Sequence, residues 1–349
     1  MLLMTVCAVA ASDRHASFYK SSSNAIVTRQ SDSLPTTFQW DSSAALLGPK
    51  DDSRGYAAIK DPSIIYHDGK YHVFASTAHA SQGYNLVYMN FTDFDQADST
   101  TFYYLDQTAI GPGYRAAPQI FYFEPQGLWY LIFQNNNAAY STNPDINNPA
   151  GWSASKNFYT GTSRTITQNI GSGYWVDMWV ICDSSDCYLF SSDDNGHLYR
   201  SQASLGDFPS GMAEPVIAMS ASNINSLFEA SNVYNIGNDS YLLLVEAIGS
   251  DNNRYFRSWT SSSLSGAWDA LADTESQPFA RSNNVAFSGS AWTKSISHGE
   301  MVRTDVDQTM SISPCNLRYL YQGIDPAASG NYNSLPWKLG LLTQTNSAC

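Results

Sequence analysis

Three acidic residues stand where chemistry could be done. Asp61, Asp177 and Glu229 each open the first of two apolar runs, in DPSIIYHDGKYHVFAS, DMWVICDSSDCYLFSS and EASNVYNIGNDSYLLLVE. A single acid at such a place is a common turn or cap residue. Three at matching places of a repeat form a pattern, because carboxyls brought together perturb one another's ionisation. One can then keep a proton for a leaving oxygen while another stays ionised to activate water, the division that glycoside hydrolysis needs. Lys60, beside Asp61, would keep it ionised; otherwise it is a solvated lysine. His298, in Ser-His-Gly-Glu, offers an imidazole either to an ion or to a core hydrogen bond. Arg254 and Arg257, in DNNRYFRSW, suit a carboxylate or sugar hydroxyls, or else rim salt bridges. Tyr332 and Asn333, in GNYNSLPW, suit a sugar platform or a plain turn.

The elements that must position these groups are strands. Helical periodicity is nearly absent, and short β-branched and aromatic runs alternate with Gly, Asn, Asp and Ser clusters. One unit recurs: an apolar strand, a turn with Gly or Asp, then a strand opening with an aromatic. It spans 61–76, 117–134, 177–192 and 229–246, with a looser fifth copy over 299–313 followed by NLRYLYQG. The copies start roughly 50 to 70 residues apart, the range of propeller blades. Such a hairpin cannot bury its own face, but sheets stacked around an axis bury all of them. The predicted fold is therefore all-β, a five-bladed β-propeller. A jelly roll or double sandwich is the alternative, but neither makes five similar hairpins in series. First strands line a propeller's axis, so acids opening them would meet at one mouth of the channel. The polar stretch Thr160–Thr167 reads as a loop without chemistry.

The 349 residues carry a net charge of −13 with only 14% charged residues, so a nucleic-acid partner is disfavoured. A neutral substrate fits better, and 22 Tyr and 9 Trp supply rings with an apolar face and a polar edge. There is no G-x-S-x-G, H-E-x-x-H or P-loop pattern. Residues 1–11, MLLMTVCAVAA, read as the apolar part of a signal peptide whose basic start is missing. Residues 12–34 read as a polar linker or pro-segment, and 35–349 as the propeller. No segment is long enough to span a bilayer. The protein is expected to be secreted and extracellular, and to act as a monomer. Asn90-Phe-Thr92 and Asn238-Asp-Ser240 are glycosylation sequons that suit this location. Beyond Cys7, four cysteines remain, an even number for a secreted chain. Cys182 and Cys187 flank a turn between apolar strands and are expected to pair, leaving Cys315 for Cys349.

At these residues the chain resembles glycoside hydrolase family 62, the α-L-arabinofuranosidases that act on arabinoxylan. The matching stretches are FQWDSS around Gln39, KDPS at Lys60–Ser63, YWVDMWVICD at Tyr174–Asp183 and SLFEASNVY at Ser226–Tyr234. RYFRSW at Arg254–Trp259, SHGEMVR at Ser297–Arg303 and YNSLPWKLGLLT at Tyr332–Thr343 complete them. The resemblance implies a five-bladed propeller that hydrolyses with inversion. It puts the general base on Asp61, the general acid on Glu229, and a third carboxylate that tunes the acid on Asp177. It further implies a calcium ion in the central channel, held mostly by water and partly by His298. Sugar contacts fall on Lys60, Arg257, Tyr332 and Asn333. Asn135–Asn137 stand where some relatives carry an aromatic, so a stacking contact there is absent or replaced. A related family 43 propeller hydrolase and a non-catalytic sugar-binding propeller are the rivals; the long motifs oppose the first and the complete acid set opposes the second.

Overall fold

The computed structural model describes residues 33–347 and 349. The stretch read as a signal peptide, and residues 12–32 of the polar segment, lie outside the described residues. Five sheets form in chain order. The first blade is Ala58–His67, Lys70–His79, Gly83–Phe91 and Tyr103–Tyr104. The second is Ala116–Phe123, Leu128–Gln134, Ala138–Asn143 and Lys156–Asn157, and the third Val176–Cys182, Asp186–Ser192, His197–Ser204 and Val216–Ser220. The fourth is Glu229–Asn235, Tyr241–Ile248, Arg254–Ser261 and Asp269–Ala272. Each is an antiparallel meander. The first hairpin turns at Asp68-Gly69, both at positive φ (48° and 76°), as a tight two-residue turn requires.

The fifth blade departs from the repeat expected over 299–313. Ser297–Met301 pairs with Arg318–Gly323, and residues 302–317 between them form a loop. That loop touches neighbouring blades through single bridges, Tyr122 to Asp307 and Asn235 to Ser311. Lys338–Gln344 follows; Trp40–Ser42, from the other end of the chain, pairs antiparallel to it, and Val285–Phe287 pairs parallel to Trp40–Ser42 as the outermost of five strands. This closing strand carries Trp40, 1% exposed, whose indole N–H donates to the Phe279 carbonyl at 2.7 Å. Phe38 and Phe279 pack on its ring. Burying one such aromatic is worth about 1.5–3 kcal/mol, enough to tie the ends of the ring together.

The innermost strand of each blade touches that of the next, and the fifth touches the first. This closed order makes the five-bladed β-propeller. The core lies between sheets, where Phe121, Phe190, Tyr234 and Tyr319 are wholly buried. Buried polar bonds also cross between blades: the Gln119 amide donates to the Val180 carbonyl and accepts the Val180 N–H, both at 2.7 Å. The disulfides are Cys182–Cys187 and Cys315–Cys349, the expected pairs. Within the stretch read as a loop, Arg164–Asn169 forms a short helix, because Ser163 caps it by accepting the Ile166 N–H. Among the described residues no helix is long and apolar enough to cross a membrane.

Candidate active site

Every inner strand breaks register at the same depth. The last regular pairs are Lys60–Ser76, Ala116–Gln134, Val176–Ser192, Glu229–Glu246 and Ser297–Gln322, and the ladder slips immediately after each. The bulged residues are Asp61, Ala117, Asp177 and Ala230, with φ of 48°, 49°, 58° and 54°, and His298 in the fifth blade. A bulge sets two residues against one and re-aims their side chains. Consecutive residues can therefore both face the channel mouth.

This corrects one expectation. Asp61 and Asp177 are equivalent, but Glu229 sits one residue earlier, in the place of Lys60; the fourth blade's bulged residue is Ala230. Both positions serve because Lys60 and Asp61, Val176 and Asp177, and Glu229 and His298 all line one cavity of about 720 Å³.

A left-handed residue exposes its N–H to the channel, and a buried N–H needs a partner. Each bulge obtains one from the preceding blade. Ser76 accepts the Ala117 N–H, and Gln134 accepts that of Asp177, both at 2.8 Å. Asp177 Oδ2 accepts the Ala230 N–H at 2.7 Å, Glu246 accepts that of His298 at 2.7 Å, and Gln322 accepts that of Asp61 at 2.8 Å. The acids thus sit on a belt of bonds that runs once around the axis.

The electrostatics differ from acid to acid. Burial alone would raise Asp61, but Lys60, with Nζ 3.9 Å away, and His298, with Nδ1 3.5 Å away, outweigh it and hold Asp61 below the usual carboxylate range. Burial would lower Lys60, yet Asp61 and the Tyr332 and Tyr84 rings keep it well above its ordinary value. Burial, and then the charges of Glu229 and Asp61, push Asp177 well up. Glu229 Oε1 lies 2.5 Å from Arg254, which also binds the buried Glu246. Asp194, from the turn of the third blade, lines the same cavity; burial, then Glu229 and Asp177, push it up to about 9.

The structure brings together Asp61, Asp177, Glu229, Lys60, His298, Tyr332 and Asn333 around this cavity. Tyr332 accepts from Lys60 Nζ at 3.2 Å. Arg257 is elsewhere. Its guanidinium binds the Ser226 carbonyl and the Asp273 carboxylate (3.1 Å), so it braces the segment leading to Glu229. Arg254, three residues earlier, is the arginine at the acid; both lie on one strand, and their side chains diverge. Asn136 reaches the cavity wall, while Asn135 and Asn137 bond to Asn157 and Tyr159. Asn238 is exposed at a hairpin tip, whereas Asn90 lies in a strand with its amide donating to Tyr88. Asp194 and Glu246 carried no signal in the sequence beyond a turn and a strand end.

Calcium takes six to eight oxygen ligands. Among the described residues no three His, Cys, Asp or Glu side chains converge to hold a metal. His298, whose Nδ1 lies 3.5 Å from Asp61 and 3.7 Å from Asp177, fits only an ion that keeps most of its water.

Comparison with known proteins agrees with this geometry. α-L-Arabinofuranosidase C of Cellvibrio japonicus is 42% identical over 312 residues, 88% of this chain and 47% of that protein. The chain thus spans about half the length of this curated relative. The catalytic domain of a Coprinopsis cinerea family 62 α-L-arabinofuranosidase is 70% identical, covers 90% of this chain and 100% of its own, and superposes with a TM-score of 0.90. A family 62 hydrolase solved with xylotriose is 56% identical, covers 88% and 98%, and has a TM-score of 0.86. The family profile itself matches residues 39–343, from the closing strand through the last strand of the fifth blade. The chain belongs to glycosyl hydrolase family 62.

Proposed function

We propose that this protein is an exo-acting α-L-arabinofuranosidase that removes arabinose side groups from arabinoxylan with inversion. One observation carries the reading: Asp61, Asp177 and Glu229 meet in one cavity, and their surroundings differ. Lys60 and His298 keep Asp61 ionised, as a base must be. The relatives support the sugar, since two are named α-L-arabinofuranosidases. The relative solved with xylotriose supports a xylan backbone across the rim, where Tyr174 (72% exposed) and Tyr332 (43% exposed) offer rings.

In this mechanism Asp61 takes a proton from a water molecule, whose oxygen attacks the anomeric carbon. The bond to the xylan oxygen breaks, and Glu229 gives that oxygen its proton. Inversion needs room for the water, with the two carboxyls about 6.5–9.5 Å apart. A hydrated calcium ion against His298 would supply positive charge among the channel acids. Two disulfides support secretion. Proton NMR of arabinoxylan digestion tests the reading: arabinose should appear first as the β-anomer. The α-anomer appearing first would overturn inversion, and no arabinose release would overturn the function.

A further inference from the structure

The turn Asp193–Gly196 joins the second and third strands of the third blade. Its shape is kept by Asp193, which accepts the Asn195 and His197 N–H groups on one oxygen, and the Tyr199 hydroxyl and faces the His197 ring on the other. Asn195 ties the turn to Asn169 at 2.9 Å. Asp194, at φ 55°, is thus spared any turn-making duty and is aimed into the catalytic cavity. Its Oδ1 is buried with no conventional donor, while its carboxyl lies within hydrogen-bonding reach of Glu229. Asp177 does not compete for that place: Oδ2 takes the Ala230 N–H and Oδ1 faces His298.

Two ionised carboxylates at contact repel strongly, so such a pair settles by holding one proton between them. We propose that Asp194 is a positioning residue for the general acid, sharing a single proton with Glu229 and keeping it at the cavity wall until the glycosidic oxygen arrives. This rests on Glu229 being the acid. Arg254 binds the other side of Glu229, which leaves this side of the carboxyl to Asp194. The other groups facing the pair are Asp177, Glu246, Lys60, Tyr332 and Tyr84. When the glycosidic bond breaks, the proton leaves Glu229 for the xylan oxygen and the pair is left doubly charged. A solvent proton then restores it, while Asp61 releases the one it took from water. The rise of Asp194 toward 9 is in keeping with this.

The pH profile of kcat/KM on arabinoxylan tests the proposal in Asp194→Asn and Asp194→Ala. Asn tolerates the left-handed backbone, so the first variant should fold. The basic limb should move down by about one pH unit or more, with activity near wild type restored at acid pH. Lower activity at every pH with the limb in place would overturn the proposal. A second readout needs no activity. A folded-state value raised from 3.8 to about 9 means that wild-type stability falls as pH climbs between them. The melting-temperature gain of Asp194→Asn should therefore be larger at pH 8 than at pH 4, and an equal gain would overturn the shared proton. Because this arm does not depend on the substrate, its failure is distinguishable from failure of the arabinofuranosidase reading.

Discussion

Gln322, in the second strand of the fifth blade, accepts the backbone N–H of Asp61 in the first at 2.8 Å. Its amide also donates to Ser297, whose hydroxyl donates to Glu246. One buried side chain, 2% exposed, therefore joins the proposed base to the network around the proposed acid. Gln322→Ala should leave the Asp61 N–H unpaired and cost about 1–3 kcal/mol. Turnover should fall more than KM changes, because the loss is in aim and not in sugar contacts. Denaturant melts and steady-state kinetics would show this; wild-type stability and turnover would mean that the bond does not matter.

Asp61→Asn should retain the fold, because Asn accepts a φ of 48° readily and keeps the backbone N–H for Gln322. It cannot take a proton from water, so kcat/KM should drop roughly 10²–10⁴-fold. Activity within about threefold of wild type, measured on folded protein, would remove Asp61 from the role of base.

Glu229→Gln should separate substrates by leaving group. A nitrophenolate departs without protonation, whereas the xylan oxygen does not. The loss should be far larger on arabinoxylan than on p-nitrophenyl arabinofuranoside. Equal losses on both would show that Glu229 is not the acid.

Chelation should lower the melting temperature if a hydrated calcium ion sits against His298. His298→Ala should abolish that sensitivity. A melting curve unmoved by chelator in the wild-type protein would leave His298 as a purely structural imidazole beside Asp61 and Asp177.

Much of this was legible in the residues. Alternating and fully apolar runs, broken at Asp68-Gly69 and at the Cys182–Cys187 turn, dictated the hairpins, since strand period and turn chemistry are local properties. Five hairpin copies in series, the fifth a looser one, pointed to a closed ring, because none can bury its face alone. Asp61, Asp177 and Glu229 were visible because each stands at the start of such a hairpin. The rest depended on contacts between residues far apart in sequence. Trp40–Ser42 became the closing strand only because the last strand, some 300 residues later, left an edge to fill. The offset of Glu229 from Asp61 arose from bulges, which one-dimensional periodicity does not reveal. Arg254 rather than Arg257 reached Glu229 because residues three apart on a regular strand face opposite ways, and only the packing of the sheet decided which face met the cavity. Asp194 looked like a turn residue, and only the packing of the third blade against the fourth placed its carboxyl beside Glu229. Local chemistry chose the strands and the acids; the closure of the ring, which sums long-range burial over the whole chain, decided which of those acids would meet.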